Sequence, residues 1–78
     1  MLTVCTYYEV FNDETGKYLR EEMCLSQLSY KKDGQDITLK HVRIENISQD
    51  TIEISTNEGD LPLIPVEDII NWEIENAK

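Results

Sequence analysis

The chain has 78 residues, and its 16 acidic and 7 basic side chains give a net charge of −9. A domain of this length buries only about 60% of the surface that its unfolded chain exposes, which excludes a two-domain enzyme with an interdomain cleft. The acidic balance disfavours a nucleic-acid partner and a basic membrane-surface helix, because both bind through Lys and Arg. No apolar run approaches the roughly 20 residues that span a bilayer. Residues 1–10 lack a basic region followed by an apolar block, so we predict a cytoplasmic protein without a membrane segment.

The first 23 residues predict an N-terminal β-hairpin. Residues 4–11 predict a strand that has apolar residues on both faces, so we expect both faces to be partly covered. Residues 12–17 have the pattern of a type I turn followed by a glycine at positive φ. The stretch after that loop has two interpretations. We favour a strand over residues 17–23 with an irregular link before Leu28. A short helix within residues 18–28 is the alternative, because Glu, Met, Leu and Gln are good helix formers.

Residues 28–75 predict short strands separated by turns. Asp33-Gly34 is the strongest hairpin signal in the chain, and residues 48–50 and 57–60 are further turns at intervals of about ten residues. Regular turns of this kind are typical of a small barrel or sandwich.

The strand that follows the Asp33-Gly34 turn changes its apolar phase. Its apolar residues are Ile37 and Leu39 before the change and Val42 and Ile44 after it. The first two are spaced by two residues, as are the last two, but the pairs are out of phase with each other. This pattern predicts a bulge or a sharp bend near Lys40-His41 that returns all four residues to the core.

The C-terminal residues predict a short strand, a single helical turn and a last strand. The short strand covers residues 61–64, Pro65 opens the turn, and residues 66–68 continue it as a 3₁₀ helix. The last strand covers residues 70–75. Its predicted inward side chains are Ile70, Trp72 and Ile74, and its predicted outward side chains are Asn71, Glu73 and Glu75.

The order of these elements resembles the small barrels of the SH3-like and Sm-like superfamily, in which a 3₁₀ turn separates the last two strands. The resemblance covers residues 28–75, with Asp33-Gly34 at the first turn and residues 64–69 at the 3₁₀ turn. It implies an all-β fold in a single domain over residues 1–78: a barrel of about five strands, with the hairpin packed on it or on a second subunit. The chain is also loosely similar to the bacterial Rho-binding antiterminators, which are small, acidic and Sm-like and act by binding a protein.

Two functional sites of these barrels have no counterpart in the sequence. Sm-like RNA binders carry an Asn-containing loop between the middle strands and an Arg-Gly pair before the last strand. Here those places hold Ser-Gln-Asp at residues 48–50 and Ile-Pro-Val-Glu at residues 64–67. SH3 domains that bind proline-rich peptides carry an Ala-Leu-Tyr-Asp-Tyr-like run and a conspicuous Trp, whereas Trp72 lies on the predicted core face of the last strand. The resemblance therefore implies neither an RNA-binding site nor a site for proline-rich peptides at any residue of this chain.

The negative charge is concentrated in the second half of the chain. Residues 1–43 contain 7 acidic and 6 basic residues, whereas residues 44–77 contain 9 acidic residues and no basic one. We predict an acidic face for a protein partner with a basic surface, formed by Glu45, Glu53, Glu58, Asp60, Glu73 and Glu75. The chain is then a small regulatory protein that binds another protein, such as a bacterial or phage inhibitor of a nucleic-acid-handling enzyme. The alternative is a solvated surface that only keeps the barrel soluble.

Two other functions remain as alternatives. The first is an Sm-like nucleic-acid binder that uses the basic residues near the Asp33-Gly34 turn, which are Lys31, Lys32, Lys40, His41 and Arg43. The second is a structural homo-oligomer that pairs through open strand edges. Tyr7 and Phe11 are candidate aromatic contacts on the outward side of the first strand, since aromatic residues are enriched at interfaces.

The sequence offers no catalytic, metal or cofactor constellation. His41 is the only histidine and has no nucleophile partner at a known spacing, and the three glycines lie in predicted turns rather than in a phosphate-binding loop. Cys5 and Cys24 lack the close spacing of a zinc site, and we expect reduced thiols packed as small hydrophobic groups rather than a disulfide. We therefore predict a protein that is not an enzyme and has no cofactor.

Overall fold

The computed structural model describes residues 2–4, 9–60 and 63–75, with the backbone alone at residues 3, 4 and 60. Over these ranges the chain forms nine β-strands and one 3₁₀ turn. The strands are β1 (Leu2–Val4), β2 (Glu9–Asn12), β3 (Lys17–Arg20), β4 (Cys24–Lys32), β5 (Gln35–Ile47), β6 (Thr51–Thr56), β7 (Gly59–Asp60), β8 (Ile64–Pro65) and β9 (Ile69–Ile74), and the turn spans Val66–Asp68. The predicted all-β class is confirmed.

The first sheet is antiparallel and has the strand order β1-β2-β3. β2 and β3 form the predicted hairpin, with Val10 opposite Leu19. Its loop is closed by a hydrogen bond of 2.8 Å from the amide of Gly16 to the carbonyl of Asn12, and Gly16 takes the expected positive φ of +74°. β1 adds a third strand. Because Val4 lies opposite Val10 in this antiparallel pair, the prediction of a single strand over residues 4–11 was wrong.

Residues 18–28 contain no helix, so the helical alternative was wrong. β3 ends at Arg20, a turn covers residues 21–22, and β4 begins at Cys24. The irregular link therefore lies just before Cys24 rather than just before Leu28. The strand conformation prevails because β4 pairs on both sides, with β5 and with β9, which satisfies backbone groups that a helix would withdraw from the sheet.

The second sheet is antiparallel and has the order β7-β6-β5-β4-β9, with β8 paired to another part of β6. Asp33 (φ +52°) and Gly34 (φ +78°) form the predicted two-residue turn between β4 and β5. Two consecutive positive φ values are typical of a type I′ turn, whose twist matches that of the flanking strands. The turn sets the register of this hairpin, in which Lys32 lies opposite Gln35.

β5 has two irregular points, of which the sequence pattern predicted one. His41 adopts a left-handed conformation (φ +55°), and the buried positions change phase there so that Val42 and Ile44 join the core. Ile37 and Leu39 are only half-buried, so the prediction that all four residues lie in the core was wrong for these two. The second point is a bulge at Glu45, where the register against β6 shifts by one residue and Ile47 returns to the core. The three-residue spacing from Ile44 to Ile47 is the sequence signal for this bulge.

β9 departs from the predicted alternation. Trp72 is fully buried as predicted, but Ile70 and Ile74 are exposed, at 42% and 49%, and Ile69 is buried. The register between β9 and β4 shifts on both sides of Trp72, once near Ile70 and once near Ser26. These β-bulges break the period of two and change which side chains face the core. The inward assignment of Ile70 and Ile74 was therefore wrong.

The segment between β7 and β9 follows the predicted order. The 3₁₀ turn occupies Val66–Asp68 as predicted, and Pro65 precedes it with an extended backbone (φ −61°, ψ 137°). The predicted strand over residues 61–64 is represented by β8, and residues 61 and 62 lie outside the described residues. Pro65 lies in an outer strand, where its missing amide hydrogen is tolerated.

The second sheet does not close into the predicted barrel. Its edges are β9 on one side and β7 with β8 on the other, and no pairing joins these edges within the described ranges. β7 and β8 have two residues each, and their pairing is with β6, so neither is long enough to bridge to β9 as well. The three residues of the 3₁₀ turn carry the chain from one edge to the other instead.

Both sheets share one hydrophobic core. Val10 and Leu19 of the first sheet are fully buried in the same cluster as Trp72 of the second. The other members of the cluster are Leu25, Leu28, Val42, Ile44, Ile47, Ile52, Ile54, Ile64, Val66 and Ile69. The hairpin therefore packs on the second sheet of its own chain, where Val10 and Leu19 are buried without a second subunit.

Candidate protein-binding surface

The outer side of the β5–β6 hairpin gathers several of the predicted acidic residues. On β6, Ile52 and Ile54 point into the core, so the alternating positions Glu53 and Ser55 face outward. Glu45 joins them because the bulge in β5 places its carboxylate 2.6 Å from the hydroxyl of Ser55, which donates a hydrogen bond to it. The alternation of β6 and the bulge of β5 thus bring Glu45 and Glu53 to one surface.

Glu58 extends this group at the turn between β6 and β7. Its amide donates a hydrogen bond of 3.1 Å to the hydroxyl of Thr56, which holds the turn, and its side chain is exposed. No described residue pairs with the carboxylates of Glu53 and Glu58. The backbone of Asp60 pairs with β6, but its side chain lies outside the described atoms. Hereafter Glu45, Glu53 and Glu58 are called the acidic surface.

Among the described residues, two cations border the acidic surface: Arg43 lies beside Glu45, and Lys40 lines a groove together with Glu58. The Nε atom of Arg43 lies 3.8 Å from a carboxylate oxygen of Glu45, and both side chains are close to half exposed. An exposed ion pair contributes at most about 1 kcal/mol. Residues 44–60 contain no Lys or Arg. Glu53 and Glu58 therefore have no basic residue near them in the sequence that could neutralise their charge.

Glu73 is engaged elsewhere, although the sequence placed it on the same face. The ammonium group of Lys17 lies 3.0 Å from a carboxylate oxygen of Glu73. The same group donates a hydrogen bond of 2.6 Å to the carbonyl of Trp72 and one of 3.4 Å to the side chain of Asn71. Glu73 therefore helps to hold β3 against β9. Nothing in the local sequence indicates this contact.

Glu75 lies closer to the acidic surface, in a groove of about 450 Å³ on the outer side of the second sheet. It lines this groove together with Arg43 and Ser55, which also contact Glu45. His41 contributes to the groove as well, and its left-handed backbone bends β5 at this place. The structure thus brings Glu75 toward the acidic surface and leaves Glu73 with Lys17.

The predicted basic residues are spread along the β4–β5 hairpin rather than gathered at one end. In chain order they are Lys31, Lys32, Lys40, His41 and Arg43, all exposed. Arg43 is eight residues beyond Gln35, where β5 begins, which corresponds to roughly 26 Å of extended strand. Lys31 pairs with Asp36 at 3.0 Å, and Lys40 donates a hydrogen bond of 2.8 Å to Gln27. The cations therefore do not form one concentrated patch.

A pair of aromatic side chains, Phe11 and Tyr18, lies on the outer side of the first sheet. Phe11 packs on Tyr18, with ring centroids 4.8 Å apart and planes inclined by 42°. The guanidinium group of Arg20 lies 5.2 Å from the centre of the Tyr18 ring and pairs with Glu9. Phe11 is half-buried by these contacts, so Tyr18, which the sequence pattern did not select, is the more exposed ring. Tyr7 lies outside the described residues.

Cys24 is an exposed free thiol at the start of β4, which differs from the predicted packing in the core. The next residue, Leu25, is fully buried, and successive strand residues face opposite sides, so Cys24 points outward. Cys5 lies outside the described residues. Within the described ranges, no three side chains of His, Cys, Asp or Glu are grouped so that they could hold a metal ion.

No protein-family model matches the chain, and no curated protein or solved structure is significantly similar to it. In the part of the chain that the structure describes, no helix has the length and apolar character needed to cross a membrane.

Proposed function

We propose that this chain is a small regulatory protein that acts by binding another protein, and that the acidic surface contacts a basic region of that partner. The observation that carries the proposal is the exposure of Glu53 and Glu58, whose carboxylates have no partner among the described residues. They lie on a stretch with no basic residue from position 44 to position 60. Carboxylates held on a sheet attract a positively charged surface and accelerate its association.

We also propose that the second sheet is an open variant of the SH3-like and Sm-like small barrel. Two features support this relationship. The last strand, β9, pairs with β4, which is the first strand of that sheet along the chain, and the 3₁₀ turn stands immediately before β9. In this variant, the short strands β7 and β8 take the place of one longer strand that would close the barrel.

A nucleic-acid-handling enzyme is the partner class that we favour. Such an enzyme needs a basic surface for phosphates, and the carboxylates of Glu45, Glu53 and Glu58 offer negative charge to that surface. The chain would then inhibit the enzyme by covering its nucleic-acid site, in the manner of a bacterial or phage regulator. Direct nucleic-acid binding by the chain has weaker support, since Lys31 and Lys40 already have partners and the net charge is −9.

Capture of host proteins on the immobilised chain tests the proposal. The wild type is compared with the Glu53→Lys/Glu58→Lys variant and with a Glu22→Lys/Asp36→Lys control, which changes the net charge equally at two exposed carboxylates elsewhere. We expect a partner that the wild type and the control retain, that the first variant loses, and that elutes as the salt concentration rises. Equal retention by all three proteins would refute the proposal. Retention of RNA at low salt, with no protein partner, would favour the nucleic-acid alternative.

A further inference from the structure

A separate groove, of about 420 Å³, lies where the 3₁₀ turn and the start of β9 approach the first sheet. The described residues that line it are Leu2, Asn12, Glu14, Glu67, Ile69 and Ile70. The groove is built from β1, the β2–β3 hairpin, the 3₁₀ turn and β9, whereas the acidic surface belongs to β5, β6 and the turn after β6. Because the two features share no residue, each can be changed without altering the other.

The apolar part of this groove is formed by Leu2 and Ile70. The register shift between β9 and β4 leaves Ile70 without a partner on β4, and its side chain is exposed to the groove instead of joining the core. Bulges of this kind commonly re-aim a side chain at a functional site. Leu2 is half-buried. Together they present an aliphatic surface that the methylene groups of a ligand would remove from water.

The charged part of the groove is negative. Glu14 and Glu67 contribute carboxylates, and none of the described residues that line the groove is basic. Glu67 is exposed in the 3₁₀ turn, and no described residue pairs with its carboxylate. Asn12 is buried, and its side-chain oxygen accepts a hydrogen bond of 2.9 Å from the amide of Glu14, which fixes the backbone of Glu14 at the groove. An aliphatic surface beside carboxylates is complementary to a positive group on an aliphatic stem.

We infer that this groove binds one lysine or arginine side chain of the partner protein. The methylene stem lies on Leu2 and Ile70 while the charged end pairs with Glu67, in the way that these side chains bury their stems along apolar surfaces elsewhere. The inference rests on the proposed function, because it gives the same basic partner a second point of contact. The groove would also make binding selective, since an uncharged apolar side chain could contact Leu2 and Ile70 but could not pair with Glu67.

Titration of the isotope-labelled full chain with the peptide acetyl-Leu-Arg-Leu-amide, followed by NMR, tests the inference without the partner. The control peptide, acetyl-Leu-Gln-Leu-amide, has the same length and no charge. We expect saturable shifts of the Glu67 and Ile70 amides with the arginine peptide and binding that is weaker by about fivefold or more with the glutamine peptide. Glu67→Gln and Ile70→Ser should each weaken binding at the groove. Glu53→Gln removes the same charge as Glu67→Gln from the acidic surface and should leave binding at the groove unchanged.

The possible failures of the two proposals are distinguishable. Shifts confined to β6, around Ser55 and Glu58, would overturn the groove inference and leave the acidic surface supported. Equal binding of the two peptides, an unaffected Glu67→Gln variant or no shifts at all would also overturn the groove inference. Selective peptide binding at the groove, combined with undiminished capture by the Glu53→Lys/Glu58→Lys variant, would support the groove and refute the acidic surface.

Discussion

The indole nitrogen of Trp72 donates a hydrogen bond of 3.2 Å to the backbone carbonyl of Tyr18. Trp72 is fully buried in the second sheet and Tyr18 belongs to the first, so the bond joins the two sheets. Lys17, the neighbour of Tyr18, donates in the other direction to the carbonyl of Trp72 at 2.6 Å. Two consecutive residues of β3 thereby satisfy the indole hydrogen and the carbonyl of one tryptophan, and they fix the first sheet against β9.

Replacing Trp72 by Phe tests the indole bond. The substitution keeps an aromatic ring, but it removes buried volume and leaves the carbonyl of Tyr18 without this donor. We expect the free energy of unfolding to fall by about 2–4 kcal/mol, measured by urea denaturation followed by circular dichroism. Tyr18→Phe, which keeps the carbonyl, is the control and should stay within about 0.5 kcal/mol of the wild type. A Trp72→Phe protein as stable as this control would show that the bond does not join the sheets.

Lys17 should stabilise the fold more through its hydrogen bond to the carbonyl of Trp72 than through its ion pair with Glu73. The side chain of Glu73 is 53% exposed, and a pair of this kind contributes at most about 1 kcal/mol. Lys17→Met should therefore lower the free energy of unfolding by about 1–3 kcal/mol, because the carbonyl loses a charged donor, whereas Glu73→Gln should lower it by less than about 1 kcal/mol. Parallel denaturation of the two variants measures the difference. Equal losses would assign the effect to the ion pair.

The left-handed backbone of His41 predicts an unusual response to substitution. A residue with a Cβ atom at φ +55° carries a strain of about 1–2 kcal/mol that glycine avoids. We expect His41→Gly to be at least as stable as the wild type, and His41→Val to be less stable by more than about 1 kcal/mol, since β-branched residues rarely adopt positive φ. Lys40→Val, at the preceding exposed position, is the control. If thermal denaturation gave the same result for His41→Val and Lys40→Val, β5 would not be bent at His41.

The bulge in β9 predicts opposite roles for two neighbouring isoleucines. Ile69 is buried in the core and Ile70 is exposed. Ile69→Ala should therefore lower the free energy of unfolding by about 2–4 kcal/mol, and Ile70→Ala by less than about 1 kcal/mol. Urea denaturation of both variants checks the order. A regular strand that placed Ile70 beside Trp72 in the core would give the reverse result.

The turns of this fold could be predicted because their chemistry is local. Gly16 and Gly34 supply positive φ within their own loops, and Pro65 starts the 3₁₀ turn through its own restricted φ. The bulges in β9 could not be predicted in the same way, because they depend on the register that β9 takes against β4. The one local sign of them was the three-residue spacing between the apolar residues Ile69 and Trp72.

The acidic residues could be predicted as a set but not as one surface. The alternation of apolar and polar residues along β6 predicts from the sequence that Glu53 faces outward. Whether a carboxylate is available to a partner depends on residues that are distant in sequence. Glu73 is engaged by Lys17, 56 positions earlier, and Glu45 accepts a hydrogen bond from Ser55, 10 positions later. The folded chain therefore sets Glu73 apart from Glu45 and Glu53, and no pattern along the sequence indicates that separation.

Mapping a captured partner onto the isotope-labelled chain by amide hydrogen exchange tests the role of the acidic surface most directly. We predict that protection on binding is greatest at the amides of Glu53, Ser55 and Glu58, and that it decreases as the salt concentration rises. Protection concentrated beside the β4–β5 turn, at Lys31 and Lys32, with β6 unchanged, would contradict the proposal that the partner binds through the acidic surface.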